Sequence, residues 1–226
     1  HTIIPPVPSL FTFNTPQSPL LDLAGISVGD VELKLAGTPL KQRGILLLTH
    51  WGFSGPCALK LSAWAAQHLH ECHYHTQLTI NWIPQYDRSQ ALDTLLALKK
   101  EKPLKRLENE NPFHLPSNLW KNFLHRAAIP HTTPLSHLPN ASLQKLLTIL
   151  LSDTYEIEGK TTYKQEFVTC GGVDLKEVDC RTMESRLIKN LHFAGEVLDI
   201  DGVTGGFNFQ NAWTSAYLAA TAIASK

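Results

Sequence analysis

Leu191-His-Phe-Ala-Gly-Glu-Val-Leu-Asp-Ile-Asp-Gly-Val-Thr-Gly-Gly-Phe-Asn-Phe-Gln210, near the C-terminus, is the stretch on which the reading of this chain turns. It divides into a short apolar strand (Leu191 to Ala194), a loop carrying Glu196, Asp199 and Asp201, and Gly205-Gly206 opening a helix. Paired glycines reach positive φ without a Cβ penalty and let backbone approach a ligand closely. The first N–H groups of the helix have no partner within it and sit at the positive end of its dipole. Such a corner receives an electron-rich ligand edge, and the preceding acids suit ribose-like hydroxyls. The competing reading is tight packing alone.

The same residues resemble a known signature. Ala194-Gly195-Glu196, then Asp199, Gly202 and Gly205-Gly206-Phe207-Asn208, is similar to the C-terminal FAD-binding signature of bacterial aminoacetone-oxidase-like or BaiN-like FAD-dependent oxidoreductases. Two further blocks resemble that family in the same order: Leu48-Thr-His-Trp-Gly-Phe-Ser-Gly-Pro56, and Val168-Thr-Cys-Gly-Gly-Val173 with Thr182-Met-Glu-Ser185. The resemblance implies that Gly195 and Glu196 face the ribityl–pyrophosphate stretch of FAD. It places Gly205, Gly206, Phe207 and Asn208 by the pyrimidine edge of the isoalloxazine, with Thr182 and Glu184 bracing the corner. It also implies an N-terminal βαβ unit with a glycine-rich FAD fingerprint, and no G-x-G-x-x-G occurs in this sequence.

Composition sets wider bounds. The 226 residues suffice for one large domain or two small ones. Twenty cations balance 20 acids, so net charge suggests neither a nucleic-acid partner nor an anionic membrane surface. The apolar run from Ala212 to Ala224 is too short to span a bilayer. Cys57, Cys72, Cys170 and Cys180 are widely spaced without a CxxC pair, which fits reduced thiols in a cytoplasm. The sole methionine is Met183, and we therefore expect a fragment or a processed product.

Periodicity orders the rest. The proline-rich stretch from His1 to Pro19 predicts an extended segment. Leu23 to Val28, the alternating Val31 to Leu35, Gly44 to Leu48, and Tyr74 to Ile83 predict strands of a small antiparallel sheet or barrel. Thr49 to Pro56 predicts a sharp strand-to-helix corner with Ser54 as N-cap, leading into a helix to about His68. Apolar residues at three- and four-residue spacing predict helices over Asp87–Lys100, Ser117–Ala128 and Ala141–Leu151. Asp153 to Val168 returns to strand character around a turn at Glu158-Gly159-Lys160. The last helix carries Phe209, Ala212, Trp213, Ala216, Tyr217, Ala220 and Ile223 as one stripe, suited to packing on a sheet. The expected class is therefore α+β: a small antiparallel β-barrel-like layer with an inserted three-helix bundle, plus a C-terminal strand–loop–helix. With the resemblance, residues 1–165 form the family's middle domain, with a helical subdomain about 87–151. Residues 166–226 form the C-terminal return into a Rossmann-type FAD-binding domain.

Other groupings are weaker. His68, His70, His73 and His75 surround Cys72, but strand alternation separates neighbours, and His70-Glu-Cys-His73 is one residue short of H-E-x-x-H. No metal site is expected. Gly52-Phe-Ser-Gly-Pro56 lacks the second glycine of a nucleophile elbow, and Gly159-Lys-Thr161 lacks the first glycine of a phosphate loop. His50, beside a glycine-rich corner, is a candidate general acid or flavin hydrogen-bond donor; no catalytic residue is otherwise identified.

Two functions follow. The first is a fragment of an FAD-dependent oxidoreductase that moves hydride or electrons between a small organic substrate and flavin. It would hold FAD weakly or not at all without the missing N-terminal segment. The alternative is a non-catalytic folded insert or assembly module that binds no flavin. Self-association through the last helix is expected in either case. The sequence does not identify the substrate or choose between NAD(P)H and oxygen as the flavin's redox partner.

Overall fold

The computed structural model describes residues 1–161 and 168–225. Their contacts form two compact units, one of Thr12–Ala58 and His75–Lys160, the other of His1–Phe11, Leu59–Tyr74 and the described part of Thr161–Lys226.

The first unit is built on a six-stranded antiparallel sheet. Its strands are β2 (Phe13–Asn14), β3 (Ser27–Leu35), β4 (Lys41–Leu48), β5 (Gly52–Ser54), β6 (His75–Asn81) and β7 (Asp153–Glu158), in the order β2-β5-β4-β3-β6-β7. The two edges nearly meet. Phe13 bridges Lys160, and the Asn14 N–H donates to the Gly159 carbonyl at 3.1 Å, so the sheet curls into a barrel that is almost closed. Alternation explains the filling: Val31, Leu33 and Leu35 of β3, Leu78 and Ile80 of β6, and Tyr155 and Ile157 of β7 are all buried. Phe53 meets Tyr155 edge-on at 4.8 Å in the centre.

Between β6 and β7 lie three helices, α3 (Arg88–Glu101), α4 (Ser117–Arg126) and α5 (Asn140–Ser152). Asp87 starts α3 with a reciprocal capping box to Gln90. Trp120 and Phe123 of α4 and Leu146, Leu147 and Leu150 of α5 fill their common core. The Trp120 indole N–H donates to the Leu107 carbonyl at 3.0 Å, which satisfies its one polar atom.

One buried ionic cluster ties helix to barrel within this unit. Asp153, only 5% exposed, receives Arg126 at 2.5 Å, the Trp82 indole N–H at 3.2 Å and the Tyr155 hydroxyl. Burial, reinforced by the Asp153 charge, pushes the Tyr155 phenol well above the usual tyrosine range.

In the second unit β1 (Ile3–Ser9) pairs antiparallel with β8 (Val168–Val173), and β9 (Val178–Asp179) with β10 (Glu184–Ser185). The long α6 (Phe207–Ala224) ends the unit. Among the described residues no helix is long and apolar enough to cross a membrane.

The α+β class, the barrel and the three helices agree with the sequence reading. Several local expectations do not. Leu23–Val28 and Val31–Leu35 are not two strands: Leu21–Leu23 is a 3-10 turn, and Ser27–Leu35 is one strand with an irregular register between Val28 and Val31. Ser54 immediately precedes α1 (Gly55–Trp64) but belongs to a strand. It ends β5, and its hydroxyl is joined to the Thr12 hydroxyl at 2.8 Å. The helix expected to run to His68 breaks at Ala65 into α1 (Gly55–Trp64) and α2 (Ala66–Glu71). Leu191–Ala194 forms no strand; only His192 makes an isolated bridge, to Glu184. The expected strand over Asp153–Val168 is seen at β7 and β8, and its residues 162–167 lie outside the described ones.

The stripe on α6 stands uncovered, as expected of a helix without its sheet. Ser215 and Ala219 are its buried residues, whereas Phe209, Trp213 and Tyr217 are about 70% exposed. We expect the isolated chain to self-associate through this face, since large contiguous apolar patches are rarely left in water. Sedimentation velocity should show mass rising with concentration, and Trp213→Glu should lower it; a monomer at every concentration would contradict this.

Candidate functional site

The glycine-rich corner lies entirely in the second unit. Gly195–Val197 is a 3-10 turn held against α6: the Gly195 N–H donates to the Ser215 hydroxyl at 2.9 Å, and Ser215 in turn donates to the Asn211 carbonyl. Gly195 has φ +77°, and a Cβ there would stand 4.0 Å from that of Ala212. Glu196 is exposed. Further along, Asn208 grips the backbone of Gly202 twice, accepting from its N–H at 2.7 Å and donating to its carbonyl at 2.9 Å. A Cβ on Gly202 would come within 2.8 Å of the Phe207 Cβ, so this glycine is required by packing. The Asn208 side chain is committed to the loop, and any ligand contact from this residue comes from its backbone.

Gly206 is the N-cap of α6, left-handed at φ +84°, and offers no side-chain oxygen to the first helical N–H groups. A Cβ built on it meets nothing within 4 Å, and Gly205 beside it has φ +118°. The helix therefore opens on uncapped donors behind a bare backbone. A cleft of about 250 Å3 begins there, lined by Val203, Thr204, Gly205, Gly206, Asn208 and Phe209, with Leu10, Leu59 and Val168 also contributing. An apolar wall beside glycine backbone and helix N–H groups suits the edge of a flat heteroaromatic ring. FAD is thus compatible with the residues present, but ligand pockets commonly hold about 300–1,000 Å3. This cleft has room for part of such a cofactor only. Leu10, Leu59 and Val168 were not foreseen, since they come from three distant parts of the chain and no local pattern joins them.

The acids have settled roles. Asp201 accepts from the Ser9 hydroxyl at 2.9 Å and also holds the Cys170 thiol. Asp199 N–H donates to the Val173 carbonyl at 3.0 Å. Burial, and then the neighbouring Asp201 charge, hold the Asp199 carboxyl above its usual range. Its folded state therefore keeps the proton more tightly than the unfolded chain. That contribution to stability is full at low pH and is lost as pH rises from the ordinary carboxylate range through the raised value. Cys170 is pushed up to about 11, by burial first and by Asp201 second. We expect Asp201→Asn to move the pH midpoint of Cys170 alkylation down towards the ordinary thiol range, read by mass spectrometry; an unmoved profile would contradict the assignment.

Thr182 and Glu184 act within the loop. The Thr182 hydroxyl accepts from the Glu184 N–H at 3.3 Å, and the Glu184 carboxylate accepts from the Asn190 N–H at 2.8 Å. His50 belongs to the barrel unit, exposed on the turn between β4 and β5, its ring edge-on to Trp51 at 6.0 Å. His68 and His70 lie on α2, His73 in the turn after it and His75 at the start of β6; no metal-holding cluster occurs among the described residues.

A barrel interrupted by a helical insert, followed by a glycine-rich helix start, defines a recognisable class. Residues 7–168 match the family described as HI0933-like protein barrel and H2TH domain, and the chain belongs to that family. Its relatives carry more specific names. It is 35% identical over 91% of its length to a protein of Escherichia coli named ribosomal RNA dihydrouridine synthase. It is 32% identical over 98% of its length to a Haemophilus influenzae protein of the same name. Across its full length it is 27% identical to a Clostridium scindens protein named 3-dehydro-bile acid delta(4,6)-reductase. The chain spans about half the length of these relatives: 49%, 52% and 56% in that order.

Proposed function

We propose that this chain is the barrel, helical and C-terminal portion of an FAD-dependent reductase whose complete form reduces uridine in ribosomal RNA. The observation that carries the flavin part is the start of α6: an uncapped helix N-terminus behind Gly205 and Gly206, opening on an apolar-walled cleft. The relatives named ribosomal RNA dihydrouridine synthase support the substrate. The expectation of no nucleic-acid partner rested on whole-chain charge alone, and we replace it here.

FAD, when bound, supplies hydride chemistry. The chain's own contribution is electrostatic and steric. Backbone N–H groups at the start of α6 stabilise negative charge on the ligand edge they face, as preorganised donors do. Asn208 and Ser215 hold the two loops in place, and Leu10, Leu59 and Val168 keep water from that edge. Gly195, Glu196, Asp199 and Gly202 shape the loop alongside, with Glu196 the exposed acid left for a ribityl or ribose hydroxyl. His50 is the candidate proton donor to test by His50→Gln.

A cleft this small calls for a second contributor. We propose an N-terminal FAD-binding segment corresponding to the half of the relatives that this chain does not match, completing a Rossmann-type domain and covering the exposed face of α6. The narrower likeness to aminoacetone-oxidase-like or BaiN-like enzymes gives a second reading, a small organic substrate, favoured by the relative named as a bile acid reductase. The non-catalytic alternative requires that no flavin binds to any form of the protein.

The test is product formation. The product of the complete reading frame, with FAD and a reductant, is incubated with unmodified ribosomal RNA transcript or with a steroid enone. Dihydrouridine in the RNA supports the first reading, reduction of the enone alone the second, and neither product, with no flavin bound, the non-catalytic alternative.

A further inference from the structure

The neutral net charge conceals a segregation. Between Lys99 and His137 the chain has seven cations (Lys99, Lys100, Lys102, Lys105, Arg106, Lys121 and Arg126) against three carboxylates (Glu101, Glu108 and Glu110). Four of these cations have work within the fold. Lys99 donates to the Leu138 carbonyl at 2.8 Å, Lys102 pairs with Glu110 at 2.7 Å, Lys121 with Glu108 at 3.4 Å, and Arg126 with buried Asp153. Lys100, Lys105 and Arg106 remain, all exposed and with no ion-pair partner among the described residues. The helix dipole accounts for a lysine in the last turn of α3, but Lys105 and Arg106 lie beyond the helix end.

Their backbone is firmly held. The Pro103 carbonyl accepts from the Ser136 N–H at 3.0 Å, the Lys105 carbonyl accepts from the Leu135 N–H at 2.8 Å, and Arg106 bridges Pro134. Cations on a fixed loop lose less freedom on binding than cations on a mobile one. Leu104 between them is 85% exposed, and no large aromatic anchor of the kind that dominates protein–protein contacts stands in this run. Unpaired cations on a rigid loop match the contacts that position a protein on a phosphate backbone without reading sequence.

We propose that Lys100, Lys105 and Arg106, at the end of α3 and on the turn after it, dock the phosphate backbone of folded RNA. The inference deepens the ribosomal RNA reading above and rests on it for the choice of RNA as the polyanion. It assigns a positioning surface and no catalytic group.

The test uses the 226-residue chain and a fluorescent, unmodified ribosomal RNA stem-loop, with affinity followed by anisotropy against salt. The triple variant Lys100→Ala/Lys105→Ala/Arg106→Ala should bind more than about tenfold more weakly near 0.1 M salt. Its slope of log affinity against log salt should fall by about two to three, since each lost phosphate contact removes roughly 0.7–0.9. A control of equal charge change, Lys176→Ala/Arg181→Ala/Lys189→Ala, should remain within about twofold of the parent by the same additivity of contacts. Circular dichroism checks that both variants fold. Equal losses in the two variants, no RNA binding by the parent, or displacement of the RNA by polyglutamate at equal charge concentration would each overturn the proposal. RNA binding with this signature by a protein that reduces no uridine would leave the surface standing and sink the catalytic reading.

Discussion

Asp153→Ala should lower the stability of the barrel unit by about 3–5 kcal/mol, the usual cost of removing one member of a buried ion pair. Asp153 is the shared acceptor for Arg126, the Trp82 indole and the Tyr155 hydroxyl. Its removal leaves three polar groups without their acceptor, one of them a cation lying over the rings of Phe123 and Tyr155 at 5.7 and 5.9 Å. The exposed pair of Arg43 with Asp30, although bidentate at 2.7 and 2.8 Å, stands at the surface, where solvent screening leaves such pairs little net stabilisation. Thermal unfolding should separate the two sites: a drop of roughly 10 °C or more for Asp153→Ala, and little change for Asp30→Ala. Comparable shifts would mean that the buried cluster does not hold helix to barrel.

Gly52→Ala should be nearly as damaging, by about 2–4 kcal/mol, for a steric reason. Gly52 pairs with Asn14 where β5 meets β2, close to the seam that nearly closes the barrel. Its φ is +147°, and a Cβ would stand 2.3 Å from the Phe13 carbonyl oxygen and 2.8 Å from the Thr15 nitrogen. Those are backbone atoms of the adjoining strand and cannot turn aside as a side chain can. Gly159→Ala is the comparison, since a Cβ there meets nothing within 4 Å although φ is +111°. Denaturant unfolding should show the larger loss at Gly52; equal losses would mean that backbone strain outweighs the contact at the seam.

The barrel strands were legible because a half-buried strand alternates, and Val31, Leu33 and Leu35 do so over a single turn-bounded run. The three helices were legible because their apolar spacing changes period at Asp87, which also carries its own capping signal. β5 escaped because three residues hold too little periodicity to separate a strand from a helix start. The Asp153 cluster escaped because Trp82 lies 71 residues from Asp153 in sequence, and nothing local marks a buried aspartate. The residues of the glycine corner were readable as a helix start, and the left-handed Gly206 fits the backbone freedom expected there. The apolar wall beside it, and the grip of Asn208 on Gly202, depend on the folded chain. Net charge is a blunter signal: a sum over 226 residues averages away the local excess of cations between Lys99 and His137.

The most direct test of the central claim is the visible absorption spectrum of the product of the complete reading frame after desalting, beside its Gly206→Val variant. Flavin bands in the parent, lost or strongly weakened in a variant that keeps its circular dichroism, are the predicted result. A β-branched side chain both resists the left-handed backbone at this N-cap and fills the open face of the cleft. Bands of equal strength in both proteins would contradict the assignment of the α6 start to the flavin, and bands in neither would reduce the corner to a structural turn.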